Sequence, residues 1–285
     1  MDKILLIDGM NAIHRANVAF NQSKVKPDPN DPTFDEQQKY IVIFNFFRNL
    51  RPLVEQFTPH KIFFVLEGHP KFRYDLFADY KANRIIKTGN KQEALDKLYE
   101  SKDEILRLLA HFPITLARAA NYECDDVISS LCESMRDENL TVISNDSDYI
   151  QLLQNGYKRL NIFNPIKKEF MVAPTYSYVA WKCLVGDKSD NIPGFSMIGD
   201  KRAKIMLSDP DEFQRFLYLE ENRANFNIYR QLIQFGEVPP DEILFQEGVK
   251  NFSIIKEEFS KMKFESIVND KSWNKFVKTF NCVKY

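Results

Sequence analysis

The sequence is poor in the residues that hold zinc or staple small domains. Its four cysteines, Cys124, Cys132, Cys183 and Cys282, form no CxxC pair across 285 residues. A disulfide scaffold is therefore excluded. The four histidines, His14, His60, His69 and His111, show no HxxxH or HExxH spacing. That removes the common zinc-enzyme signatures. No apolar run reaches the ~18 residues of a membrane-spanning helix. The apolar segment after Met1-Asp2-Lys3 is too short for a secretion signal. Charge of one sign is also missing: 39 Lys and Arg against 40 Asp and Glu leave a net charge of −1. This excludes a uniformly basic nucleic-acid coat but not a basic patch balanced by acids elsewhere. There is no internal repeat and no low-complexity tract. The chain reads as a soluble protein of a reducing compartment, the cytoplasm.

What is present is ordinary globular material, 44% hydrophobic and 28% charged. Its length suits two domains or one large one, at ~150 residues per domain. Ile4 to Ile7, Lys61 to Leu66 and Leu140 to Ser144 are short apolar runs of the kind found in strands buried on both faces. Ile114 to Ala117 is a shorter candidate. Residues 35–57 read as a helix with Pro52 as an interruption. Residues 123–136 carry Val127, Leu131 and Met135 on one helical stripe. Residues 21–33 read as a loop. Strands alternating with helices predict an α/β fold with a mostly parallel central sheet flanked by helices.

Acids follow the strands. Asp8, Glu67 and Asp146 each come just after an apolar run, and Asp148 lies two residues beyond Asp146. Glu123, Asp125 and Asp126 open the helix after the third strand candidate. One such acid is usually a turn residue or a helix cap. In an open parallel sheet, however, all of them would converge beyond the carboxyl ends of the strands. Crowded carboxylates repel, and divalent cations relieve the repulsion. Oxygen-only ligands suit Mg²⁺ or Mn²⁺. The acids are too many for a single ion and fit a two-ion site, the recurring device of phosphodiester hydrolysis.

Two further segments point to a nucleic acid. Gly186 to Gly194 is a dense turn carrying Asp187 and Asp190, and Ile198-Gly199 opens a helix bearing Lys201, Arg202 and Lys204. Free N–H groups at such a helix start can bind a phosphate of a duplex backbone. Residues 71–107 mix Lys and Arg with Phe72, Tyr74, Phe77 and Tyr80, a pattern that suits single strands. A solvated amphipathic helix pair would show the same pattern. Thr88-Gly89-Asn90 marks a flexible point in it.

Asp8-Gly9-Met10-Asn11, Glu123-Cys124-Asp125-Asp126-Val127, Asn145-Asp146-Ser147-Asp148 and the run from Gly186 to Gly194 occur in that order. Together they resemble the 5′ nuclease (flap endonuclease) superfamily, in its bacterial and phage branch. That branch includes the 5′ nuclease domain of bacterial DNA polymerase I and stand-alone phage 5′-to-3′ exonucleases. Phe72-Arg73 and Tyr80 to Arg84 resemble its arch segment. The match runs from residue 1 to about 207.

The resemblance implies a PIN-like core over 1–185 that includes a helical arch at about 71–107. A helical DNA-binding region over 186–285 would include a helix–hairpin–helix-like motif at 187–207. It implies a two-metal nuclease, with Mg²⁺ or Mn²⁺, cutting DNA at a 5′ flap, a nick or an RNA primer in replication. Asp8, Glu123, Asp125, Asp126, Asp146, Asp148, Asp187 and Asp190 match its metal-binding acids, and Glu67 stands where the family usually has Asp. Lys81 and Arg84 match the basic residues at the scissile phosphate; with Asp8 and Asp146 they make up the expected catalytic set. Arg15, Arg73, Tyr80, Lys81, Arg84, Gly194, Gly199, Lys201, Arg202 and Lys204 are the expected DNA contacts. A K⁺ ion is expected at the hairpin, whose turn reads Met197-Ile198-Gly199 instead of Gly-Ile-Gly. A stand-alone, monomeric, phage-type replication protein in the host cytoplasm is expected, working beside single-stranded-DNA-binding or replication proteins. Two alternatives are a PIN-like ribonuclease acting on single-stranded RNA and a junction-binding protein without catalysis.

Overall fold

The computed structural model describes residues 1–21, 27–28, 31–84 and 90–284. Seven strands form one sheet: β1 (Lys3–Asp8), β2 (Lys61–Val65), β3 (Thr115–Ala119), β4 (Asn139–Ile143), β5 (Leu160–Asn164), β6 (Glu169–Phe170) and β7 (Ile243–Glu247). Their order is β6-β5-β4-β1-β2-β3-β7. The five inner strands are parallel, and β6 and β7 are antiparallel edges. The helices are α1 (Gly9–Asn21), α2 (Phe34–Phe57), α3 (Lys71–Leu76), α4 (Asn90–Leu109), α5 (Cys124–Ser134), α6 (Tyr178–Val185), α7 (Asp200–Ser208), α8 (Pro210–Tyr218), α9 (Glu220–Ile233), α10 (Phe252–Lys261), α11 (Glu265–Val268) and α12 (Asp270–Asn281).

The apolar run of β1 is continuous because both sheet faces are covered. Leu5 and Ile7 pack under α1, α2, α4 and the C-terminal helices. Ile4 and Leu6 face α5 and the 3₁₀ helix Ser147–Gln154. Asp8 pairs with Val65 on β2, and Ile7 pairs with Ile143 on β4. The ends of three neighbouring strands are therefore level, and the acids after them share one edge. Gly9 follows directly because a Cβ there would lie 2.5 Å from the Val65 carbonyl oxygen.

Several expectations change. Pro52 does not interrupt α2. It sits on the exposed side, where water can serve the carbonyl that loses its helical partner. The third strand lies slightly later than Ile114–Ala117. In the segment expected as the arch, about 71–107, α3 packs against α9, a short 3₁₀ turn (Ala82–Arg84) follows, and α4 begins at Asn90. Thr88 and Gly89 lie outside the described residues, as does part of the expected 21–33 loop. The expected boundary at 185/186 separates residues that pack together. β7 completes the core sheet, and Phe259, Phe276 and Phe280 belong to the same core as Phe47. A third apolar cluster joins α6–α9 to Tyr80.

Candidate active site

Seven of the nine expected acids line one cavity of about 620 Å³: Asp8, Glu67, Asp125, Asp146, Asp148, Asp187 and Asp190. Lys81 and Arg84 line it too. Each acid is placed by ordinary local structure. Asp8 closes β1 and is buried; it accepts bonds from the Asn11 amide and the Ser144 hydroxyl, each at 3.0 Å. Asp146 caps the 3₁₀ helix Ser147–Gln154 by accepting from the Asp148 amide at 2.9 Å. Asp125 lies in the first turn of α5 and accepts from the Tyr149 hydroxyl at 2.6 Å. Glu67 sits at the exposed rim and accepts from the Cys124 amide at 3.2 Å.

The cavity has two electrostatic halves. Among the described residues, no lysine or arginine is salt-bridged to Asp8, Glu67, Asp125 or Asp146, in contrast to the other three acids. Burial, with Asp146 nearby, pushes the Asp8 carboxyl up to about 6. Glu67 keeps part of its surface in solvent, but crowding by the cavity wall and then the charge of Glu123 still raise it, to about 7. Burial and the charges of Asp8, Asp146 and Glu67 push Asp125 well above the usual carboxylate range. The other half carries its own cations. Lys182 pairs with both Asp148 and Asp187, the latter at 2.7 Å. Burial would raise Asp187, but Lys182 and the Ser189 hydroxyl and amide hold it low. Asp190 accepts from Arg84 at 2.6 Å, with Lys81 at 3.8 Å.

The chemistry of the first half fits a hard divalent ion. Ligand atoms of Asp8, Cys124 and Asp125 all lie within 4.8 Å of one another. The Cys124 thiol is buried and its pKa is pushed up by burial and by Asp8, so it stays a neutral thiol. The available donors are carboxylate oxygens, the preference of Mg²⁺ and Mn²⁺ rather than of zinc.

Two expected acids play another part. Asp126 is fully buried and takes two bonds from Arg73, at 2.6 and 2.7 Å, plus the Gly236 amide at 2.6 Å. With both oxygens spent, it has no lone pair aimed at the cavity. Glu123 caps α5, forms a capping box with Asp126, and pairs with Arg73 at 3.0 Å and with Lys81. Glu123 is the wall behind Lys81. It is bonded by the Tyr80 hydroxyl at 2.9 Å.

The expected DNA contacts divide as well. Arg73 is 2% exposed and Tyr80 1%, so both are internal struts rather than surfaces for DNA. Their sequence pattern misleads because the acids they hydrogen-bond are 43 or more residues away. Gly194 takes a positive φ of 67°, and a Cβ there would lie 2.5 Å from the Gly186 amide nitrogen; it closes the turn. Arg15 lines a neighbouring cavity instead, with its Nε buried and unpartnered. Lys201, Arg202 and Gly199 are exposed at the start of α7, and Lys204 pairs with Asp200 at 2.8 Å. This helix start adjoins the cavity through Trp181, whose indole N–H reaches Asp200 at 3.0 Å. Met197 adopts φ 63°, so the hairpin keeps a left-handed residue despite the missing glycine.

Sequence reasoning missed Lys182, Tyr178, Tyr149 and Ser144, all hydrogen-bonded to cavity acids. Only Lys182 left a signal: a lysine one helical turn before Gly186, where the acidic turn begins.

The chain matches the family described as "5′-3′ exonuclease, N-terminal resolvase-like domain" over residues 3–179. It belongs to the 5′-3′ exonuclease family. It is 30% identical over 225 residues to DNA polymerase I of Lactococcus lactis, covering 73% of this chain and 24% of that protein. The chain thus spans about a quarter of the length of such polymerase relatives. It is 29% identical to the 5′-3′ exonuclease of Bacillus subtilis, covering 76% of this chain and 73% of that one. Among solved structures, the bacteriophage T5 flap endonuclease in complex with DNA and metal ions matches with a TM-score of 0.61 at 17% identity, covering 98% of each chain. The catalytic core of Rad2 with a DNA substrate matches with a TM-score of 0.57 at 16% identity, covering 94% of this chain and 92% of that one. These two likenesses establish the fold of the 5′ nucleases, with its mixed sheet and C-terminal helices. Among the described residues, no helix is long and apolar enough to cross a membrane.

Proposed function

We propose that this member of the 5′-3′ exonuclease family is a structure-selective 5′ nuclease, hydrolysing phosphodiesters at 5′ flaps and nicks in DNA with two Mg²⁺ or Mn²⁺ ions. The observation that carries it is the seven-carboxylate cavity with Lys81 and Arg84 on its wall. Asp8, Asp125, Asp146 and Glu67 would hold one ion, and Asp148, Asp187 and Asp190 would serve the other. When bound, the ions supply a Lewis acid for the phosphate and lower the pKa of water.

The chain's own groups do the rest. Burial opposes the charge on Lys81, but Glu123 and Asp190 outweigh it and keep the ammonium protonated at the cavity wall. Arg84 is half exposed there. Both can offset charge gathering on a phosphate in the transition state. Asp8 and Glu67 ionise near neutrality, so a cation and a proton compete for them. The exposed α7 start, with Lys201 and Arg202, offers backbone N–H groups and charge to a duplex backbone, which it would position without reading sequence.

Three end-labelled substrates test this: a 5′-flap duplex, a blunt duplex and single-stranded RNA, each with Mg²⁺, with Mn²⁺ and with EDTA. The proposal expects metal-dependent cutting near the flap junction, weak action on the blunt duplex, and little on the RNA. Preferred cutting of the RNA would transfer the reading to a ribonuclease. Tight flap binding without cutting in either metal would transfer it to a junction-binding protein.

A further inference from the structure

Lys182 is an internal lysine, 9% exposed, on the wall of the cavity that holds the seven carboxylates. Its ammonium pairs with Asp148 and, at 2.7 Å, with Asp187. These two carboxylates come from separate parts of the fold. Asp148 follows β4 in the core, and Asp187 follows Gly186 in the turn that a short pairing with Ile192 closes. Asp148 also accepts from the Tyr178 hydroxyl at 3.0 Å, one turn earlier on the same helix α6 as Lys182. Without the ammonium, two carboxylates would face each other across this seam.

We propose that Lys182 is the resident cation of the second carboxylate set, holding the 186–194 turn to the core until a divalent ion displaces it. This rests on the two-ion reading above and adds a consequence for the ions themselves. The first set (Asp8, Glu67, Asp125, Asp146) has no salt-bridged lysine or arginine among the described residues, with Arg15 and Lys81 acting on it only from farther away, so an ion there displaces protons but no paired ammonium. The second set already carries cations of its own, Lys182 shared by Asp148 and Asp187 and Arg84 on Asp190. An ion taken up there must push an ammonium off two carboxylates. The second ion therefore binds more weakly than the first, by the amount of that competition. Lys182 is in this sense a positioning residue, keeping the acids in place in the metal-free protein.

The test uses the full chain, Mn²⁺ titration calorimetry and thermal melting. Lys182→Met keeps the length of the side chain and removes the charge. In EDTA its melting temperature should fall by several degrees, and Mn²⁺ should restore more stability to it than to wild type. Its weaker Mn²⁺ site should tighten by about fivefold or more, the lower end of ordinary coupling between sites. A purely structural lysine would lower stability and leave ion affinity unchanged or reduced. Lys182→Met/Asp187→Asn removes one charge of each sign; it should melt close to wild type in EDTA and lose the weaker ion. This double variant also serves if the single one does not fold. The proposal is overturned if Lys182→Met binds the weaker ion no more tightly than wild type. It is equally overturned if the double variant keeps both ions. Wild type that takes up no Mn²⁺ at all would sink the two-ion reading itself, whatever the variants do.

Discussion

At the residue scale, identical side chains carry different duties because their neighbours differ. Asp125 and Asp126 are adjacent on α5, yet one faces the cavity and the other is consumed by Arg73. Arg73→Met should cost about 3–5 kcal/mol, since it leaves Asp126 buried without its partner. Urea denaturation would measure this, and a loss below ~1 kcal/mol would mean that the pair is not the strut described. Asp8 makes the opposite case. Its pKa is raised to about 6 from an ordinary 3.8, and that of Glu67 to about 7 from 4.5. Between those values the folded chain binds more protons than the unfolded one. Metal-free stability therefore falls as pH rises from about 4 to about 7. Asp187, held low, makes its contribution below that window. Melting curves in EDTA should show the decline, and divalent ions should reverse it because they replace the protons. A melting temperature that rises through the window would contradict the assignment.

At the element scale, the strands and the acids beyond them were legible because both obey short-range rules. A strand covered on both faces is an unbroken apolar run, and β1, β2 and β4 are such runs. β7 was not legible, since Leu244 and Phe245 are largely exposed on an edge and carry no alternation. Nor could sequence show that Arg73 and Tyr80 turn inward, because their partners arrive from distant elements. The hairpin before α7 kept its left-handed residue at Met197, which is 89% exposed. Such a conformation costs an L-residue about 1–2 kcal/mol, partly offset by the extra freedom glycine has when unfolded. Met197→Gly should therefore stabilise the protein by about 0.5–1 kcal/mol. A destabilised variant in the same denaturation assay would show that the methionine side chain contributes packing there.

At the scale of the whole molecule, a net charge of −1 hides a division of labour. Seven of the 40 acids gather in one cavity, while Arg84, Lys201 and Arg202 face solvent. Binding of a flap duplex in Ca²⁺ should weaken steeply with salt, with a log–log slope of about −3 or steeper if four phosphates are neutralised. A flat response would argue against recognition through the backbone. If Asp8, Glu67, Asp125 and Asp146 hold the ion proposed above, cleavage of a phosphodiester depends on them. Single-turnover cleavage of a 5′-flap duplex in Mg²⁺ tests it most directly, comparing wild type with Asp125→Asn. The expected result is a rate loss of about 10²–10⁴-fold, several kcal/mol of lost transition-state stabilisation, with flap binding retained. A variant that cuts at the wild-type rate would contradict the account.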